Sequence, residues 1–269
     1  MDVSIIIRTF NDEKIRNCLD AIFNQKTGYS FEVIIVDSGS TDKTLDIARK
    51  YDVKVINITN FTYGGSLNKG CGAAKGKYYV FLSQDAIPLN EHWLDNLVEP
   101  LKDNKIAGVF GKEIPLDDCN FCEKRRIIGT FNKPPKGMFT NSNSAIKKEL
   151  WKKNRYDEKI SISEDWLWAE KIRKKGYNIV YSKSAIVKHS HNLNFSNLFK
   201  RIRNETYEVA RIQNIRPISL IAKGIANFII SIYLDLLYVK YNFLKLPYIL
   251  IYEFVVLCAF FSAGFRLIF

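Results

Sequence analysis

The chain has 269 residues, 47% of them apolar, and 40 Lys and Arg against 28 Asp and Glu give it a net charge of +12. That length and composition exclude a disordered segment or a disulfide-held miniprotein and admit one large domain, or a domain with an appendage. The positive balance points to phosphates or an acidic membrane surface, whereas scattered basic residues without a nucleic-acid-binding signature argue for no nucleic acid. Five cysteines, an odd number without a secretory leader, set the expectation of a reducing compartment, and Cys119 and Cys122 lack the second pair of a zinc site.

Residues 3–7 are a short apolar run followed by the polar turn Arg8-Thr9-Phe10-Asn11-Asp12. Ile15, Leu19, Ile22 and Phe23 have helical spacing within 13–25. A second buried strand, 31–36, ends on Asp37, and Ser40 or Thr41 can cap a helix over 42–51 before a third strand at 53–58. Strand and helix alternating at this rhythm predict parallel pairing with right-handed crossovers. Residues 64–76 form a glycine-rich entry to a small-residue helix, read either as a phosphate cradle or as tight helix packing. The run from Tyr78 to Pro88 organises the rest: a strand buried on both faces that ends on Asp85, at the strand ends where open α/β sheets gather ligands. Asp85 is there either to hold a metal or a charged substrate, or to cap a turn. No GxGxxG follows the first strand, and no GxxxxGK[ST] occurs, which removes the main support for a dinucleotide or ATPase reading.

Further on, 90–104 reads as a helix with Trp93, Leu94, Leu97 and Leu101 at core spacing, and 106–111 as a strand. Residues 116–135 read as a polar excursion leading to the mobile loop Pro134-Pro135-Lys136-Gly137. A helix follows Ser163, which can cap it. Glu164 and Asp165 in its first turn either complement the helix dipole or supply a general base. Trp166 and Trp168 offer flat apolar surface for a sugar ring or for core packing. Two extended pieces, 178–181 and 185–188, lead to His189 and His191.

Ser4-Ile5-Ile6-Ile7-Arg8-Thr9-Phe10-Asn11, Val36-Asp37-Ser38-Gly39-Ser40-Thr41-Asp42-Lys43-Thr44, Asn68-Lys69-Gly70 and Phe81-Leu82-Ser83-Gln84-Asp85-Ala86 together resemble family 2 glycosyltransferases. The resemblance covers residues 3–215, and the Ser-Gln-Asp-Ala-x-Pro form is most similar to the rhamnosyltransferase branch. It implies an α/β GT-A fold with a mostly parallel central sheet, catalytic over 1–215. It also implies donor contacts from Thr9, Asn11, Asp37, Asn68, Gln84 and Asn143, the last within a segment resembling the family's sugar-contacting stretch. Asp85 and His189 would hold Mg2+ or Mn2+, Asp165 of the Glu164-Asp165 pair would be the base, and Trp166 and His191 would face the acceptor. Ser83 replaces the first aspartate of the common motif, so fewer charges hold the ion. Leu67 stands where many relatives carry a basic residue, leaving a diphosphate contact to Lys69 or Lys75. The donor implied is dTDP-rhamnose or a UDP-sugar, and the reaction an inverting transfer.

Residues 195–213 form a basic amphipathic helix, and 219–239 and 247–267 are apolar stretches of nearly membrane-spanning length. Lys223, Asp235, Glu253 and Arg266 interrupt them, each costing about 2.5–3.5 kcal/mol at a bilayer centre. The region 216–269 is therefore expected to lie in the interface or pair into a homo-oligomer, with a spanning hairpin as second choice. The expected acceptor is a lipid-linked glycan at the cytoplasmic face of the membrane. Competing readings are a sugar nucleotidylyltransferase, which needs a glycine-rich basic loop that residues 8–13 do not provide, and a non-catalytic scaffold, for which the acidic pair should have been lost.

Overall fold

The structure is a computed structural model that describes residues 1–268, so Phe269 of the C-terminal region lies outside them. The chain divides into two compact units. The first comprises Met1–Leu116, Thr130–Ile160 and Glu164–Ser190; the second comprises Asp117–Gly129, Ser161–Ser163 and His191–Phe269.

The first unit is built on eight strands: β1 (Val3–Thr9), β2 (Phe31–Asp37), β3 (Val53–Asn57), β4 (Tyr78–Ser83), β5 (Ile87–Pro88), β6 (Ile106–Ile114), β7 (Asn143–Lys147) and β8 (Asn178–Lys188). They form one sheet in the order β3-β2-β1-β4-β7-β6-β8-β5. As the alternating pattern requires, β3, β2, β1 and β4 are parallel, and β6 and β8 are parallel. Two strands make the sheet mixed: β7, antiparallel to both β4 and β6, and the short edge strand β5, antiparallel to β8. Side chains alternate between two cores: Ile5 and Ile7 join one, Ile6 the other. Burial on both faces is why these strands read as unbroken apolar runs. The organising run is broken after Ser83, and Ile87–Pro88 leaves to pair with β8 at the far edge, so residues 84–86 cap the sheet between two strands. The two extended pieces at 178–188 are one strand with a bulge, where the register slips between Gly111 and Lys112.

Helices α1 (Ile15–Phe23), α2 (Thr44–Ala48), α3 (Tyr63–Ala73) and α4 (Trp93–Val98) follow the expected order. Helix α4 is shorter than the apolar spacing suggests, because Pro100 has no N–H to continue the ladder and the chain tightens into a 3-10 turn over Glu99–Lys102. In α3 the glycines serve packing: a Cβ on Gly70 would meet Ile6 Cγ2 at 2.5 Å and Val36 Cγ2 at 3.0 Å. At the same helix's start, Thr62 Oγ1 accepts from Gly65 N–H at 2.9 Å, so an amide expected for a phosphate is used as a cap. The excursion 116–135 contains a helix, α5 (Phe121–Asn132), instead of loop alone. Its start is marked by Asn120, whose Oδ1 accepts from Glu123 N–H at 2.9 Å. Helices α6 (Lys148–Lys153) and α7 (Glu164–Arg173) complete the first unit. Ser163 adopts φ 70°, in place of the extended backbone of an N-cap.

In the second unit, α8 (Phe195–Ile212), α9 (Pro217–Tyr238) and α10 (Leu246–Arg266) bury Leu198, Ile249, Tyr252 and Val256 together with Cys122. Asp235 and Glu253, the charges that argued against lipid contact, are wholly buried. Arg125 Nε donates to Asp235, and Arg126 Nη2 reaches both oxygens of Glu253 at 2.8 and 2.7 Å. The apolar side chains left exposed on this unit include Ile229, Ile230, Tyr233, Leu244 and Phe254.

Candidate active site

Parallel register brings the carboxyl ends of three strands level: Thr9 lies beside Asp37, and Arg8 beside Ser83. Asp37 is buried, and its carboxylate accepts from Gly39 N–H at 2.9 Å, Ser40 N–H at 3.0 Å and the Ser40 hydroxyl at 2.5 Å, which shapes the turn after β2. Asn11 is exposed at φ 42° and accepts from Thr41 N–H at 2.8 Å, tying the loops after β1 and β2 together. Gln84 clamps the exit of β1: Oε1 accepts from the Thr9 hydroxyl and from Phe10 N–H at 2.9 Å, and Nε2 donates to Phe10 carbonyl at 3.2 Å.

Asp85 is the next residue. Its Oδ1 lies 3.5 Å from His189 Nε2, and both residues offer atoms suited to a common ion. The other imidazole nitrogen, Nδ1, meets Glu113 Oε2 at 2.7 Å. A carboxylate behind a histidine in this way fixes the ring and raises its basicity as a ligand, so the pair fits a hard divalent cation. Glu113 Oε1 in turn accepts from the Ser142 hydroxyl, which is 2.6 Å from that of Thr140. Between them, Asn141 N–H donates to Asp165 Oδ2 at 3.0 Å. Asp165 Oδ1 accepts from Trp166 N–H at 2.7 Å. Burial first, and then the neighbouring Glu164 carboxylate, push the Asp165 carboxyl up to about 7, against those two amides and Arg8. Buried Glu164 pairs with Arg8 Nη1 at 3.2 Å. Arg8 directly precedes Thr9, so the contacts close into a circuit around the strand ends, from Arg8 through Glu164, Asp165, the 140–142 loop, Glu113, His189, Asp85 and Gln84 to Thr9.

Asn11 and Asp37 adjoin that circuit through the loops after β1 and β2, whereas three further expected donor residues are engaged elsewhere. Asn68 Nδ2 donates to Tyr156 carbonyl at 2.9 Å and Glu158 Oε1 at 2.8 Å, while its Oδ1 accepts from Trp151 Nε1 and Tyr156 N–H. Asn143 is fully buried, accepting from Trp93 Nε1 at 2.9 Å and donating to Lys112 and Ala185 carbonyls. Both amides are spent on holding the fold. Lys75 precedes β4 and therefore stands at the opposite edge of the sheet; its N–H donates to Glu32 Oε1 at 2.6 Å. Of the tryptophans, Trp168 is core, with Nε1 bonded to Asn154 carbonyl at 2.8 Å, while Trp166 is half-buried. His191, also half-buried, opens the second unit two residues after His189.

The family model for Glycosyl transferase family 2 matches residues 4–201. The chain belongs to that family. This glycosyltransferase is 31% identical over 223 residues to the O-antigen chain rhamnosyltransferase RfbN of Salmonella typhimurium, covering 75% of the chain and 70% of the relative. It is 30% identical to the O-antigen chain rhamnosyltransferase WbaN of Salmonella anatum, covering 74% and 69%. Among solved structures it is similar to the mannosyltransferase PcManGT of Pyrobaculum calidifontis in complex with GDP-Man and Mn2+, at a TM-score of 0.62 and 20% identity, covering 96% of this chain and 74% of the other. That similarity bears out the GT-A fold.

Sequence reasoning missed three parts of the transferase's circuit: Arg8, Glu113 and the 140–142 loop. Glu113 had one local signal, an acid that with Lys112 interrupts a strand apolar up to Gly111, and a buried acid demands a partner. Its partner lies 76 residues away, and nothing local names it.

Proposed function

We propose that this glycosyltransferase is a metal-dependent inverting enzyme that moves a sugar, with rhamnose from a dTDP donor as first choice and a UDP-sugar as second, onto a lipid-linked glycan in surface-polysaccharide synthesis. Asp165 carries the reading: its side chain is half-buried, its carboxylate is oriented by two backbone amides, and burial and Glu164 raise its pKa to about 7. A base with that pKa takes a proton efficiently near physiological pH. In the step, Asp165 accepts the acceptor hydroxyl's proton as the oxygen bonds to the anomeric carbon, while the opposite carbon–oxygen bond breaks and its electron pair leaves on the nucleoside diphosphate. Asp85 and His189 are assigned to Mg2+ or Mn2+, which when bound neutralises charge on the diphosphate. Thr9, Asn11, Asp37 and Gln84 are assigned to the nucleotide end, and Trp166 to the acceptor.

The catalytic part is assigned to 1–215. Residues 216–269 are assigned to the cytoplasmic face of the membrane, because α9 and α10 are both long and apolar enough to cross a bilayer and expose their apolar side chains. The likeness to the O-antigen chain rhamnosyltransferases of Salmonella supports the choice of rhamnose and of a polysaccharide product. A screen of nucleoside-diphosphate sugars with and without Mg2+ or Mn2+, reading nucleoside diphosphate release in the presence of a lipid-linked saccharide, tests the assignment. Release is expected from one donor class and only with a divalent ion. Release unaffected by chelation removes the metal assignment, and nucleoside triphosphate consumption in place of diphosphate release would identify a nucleotidylyltransferase.

A further inference from the structure

At the edge of the sheet opposite the catalytic circuit there is a second concavity, of about 340 Å³, bordered by Lys77, Lys102, Lys147, Lys148, Lys152 and Glu149. Five lysines and one glutamate thus line it, and Glu99, which pairs with Lys102, is not among the lining residues. Tyr78 begins β4 at this cavity and Ser83 ends it at the catalytic edge, so six residues at about 3.3 Å each put roughly 20 Å between the two places.

Two of the lysines are fixed by carbonyls and not by acids. Lys147 is only 6% exposed, and its ammonium donates to Asp103 carbonyl at 2.7 Å, which uses one of three N–H groups. Burial pulls its pKa below the usual lysine value, and the Glu149 and Asp103 carboxylates offset this only in part. Lys148 Nζ donates to Ala74 and Lys75 carbonyls at 3.1 and 3.3 Å. Lys102 is held by Glu99 at 2.9 Å. Lys77 and Lys152 are exposed at the rim. Gathering like charges costs free energy that a bound anion recovers. Lysine supplies point charges suited to phosphate without requiring a planar, bidentate partner. Tyr78 and Leu101 add apolar wall, and the volume lies within the range of about 300–1,000 Å³ for small-molecule sites.

We propose that this lysine cavity is a second anion site, which binds a phosphomonoester or diphosphate group carried on a small organic body. It is separate from the donor site, and its ligand reaches it either free in solution or as a lipid headgroup. The site does not depend on the catalytic assignment.

The test is acetylation footprinting of the full chain carrying Asp85→Ala, with chelator present, so that metal-supported anion binding at the catalytic edge is suppressed. Three arms are compared: inorganic pyrophosphate, phosphatidylglycerol vesicles and phosphatidylcholine vesicles. Lys77, Lys148 and Lys152 are expected to be protected relative to exposed Lys50 and Lys159, which serve as internal controls. Protection by pyrophosphate assigns a soluble ligand; protection by phosphatidylglycerol alone assigns a headgroup. The double substitution Lys77→Gln with Lys152→Gln, both on exposed positions that do not support the fold, should weaken pyrophosphate or phosphatidylglycerol binding about tenfold, the loss of one or two charge-assisted hydrogen bonds. Protection equal to that of Lys50 and Lys159 in every arm, or affinity unchanged in the double variant, overturns the site.

Discussion

Replacing Asp165 by Asn separates two consequences of its environment. Its carboxyl is raised from an ordinary 3.8 to about 7, and at about 1.4 kcal/mol per pH unit that interval corresponds to about 4 kcal/mol favouring the neutral form. The figure is an upper bound, because the side chain keeps some contact with water. The sign follows from linkage. A raised native pKa gives stability that is complete below pH 3.8 and lost as pH climbs through about 7, where the native carboxyl ionises. Asparagine does not titrate, so it escapes this loss. Its single acceptor oxygen serves only one of the two amides, from Asn141 and Trp166, at a cost of about 1–3 kcal/mol. By pH 5 wild type has already lost about 2 kcal/mol of this contribution, so Asp165→Asn should be nearly equal to it in stability there and more stable, by about 1–3 kcal/mol, at pH 8. Turnover should fall by about 10²–10⁴ at both. Urea unfolding at the two pH values and initial rates of diphosphate release measure both effects. Equal stability differences at pH 5 and pH 8 would contradict the raised pKa, and turnover within a factor of about ten of wild type would contradict the base assignment.

In wild type, kcat/KM should rise with pH through about 7; Glu164→Gln should move the inflection to lower pH by removing the like charge, and Arg8→Met should move it higher. A profile unmoved by either change would show that another group sets the inflection. Glu113→Gln removes the charge behind His189 and should weaken Mn2+ binding about 10–100-fold as read by electron paramagnetic resonance, with the circular dichroism spectrum unchanged. Unaltered Mn2+ affinity would free Glu113 from that role. In the second unit, Asp235→Ala leaves half-buried Arg125 with only Glu253, at 3.8 Å, and should cost up to about 3 kcal/mol in urea unfolding, whereas Arg125→Met with Asp235→Leu should recover most of it. Equal loss in the single and double variants would point to packing and not charge.

The parallel half of the sheet was legible because its strands are largely apolar and end on a polar or acidic residue, as at Thr9, Asp37 and Ser83, with Asp85 two residues further on. Position along a strand is enough to put those three at one edge. Asn68 and Asn143 show where the same reasoning fails. Both are motif letters, yet an amide's role depends on which carbonyls and indoles fold against it, and here Trp151 and Trp93 claim them. Lys75 was misplaced for a simpler reason: a residue before a strand lies at the wrong end of it. Helix α5 was hidden by attention to the Pro134-Pro135 turn, although Asn120 and Glu123 have capping-box spacing. The charges of Asp235 and Glu253 were visible, but their partners are more than a hundred residues away and were not.

Arg8 and Thr9, consecutive on β1, anchor the two ends of the circuit, and the 140–142 loop touches both the histidine side and the carboxylate side. On the proposed assignment, an exchange in that loop should alter ion affinity and proton uptake in concert. Divergence toward new sugars or acceptors within such an enzyme is thereby channelled to side chains outside the loop of contacts, where one property can drift while the other is kept.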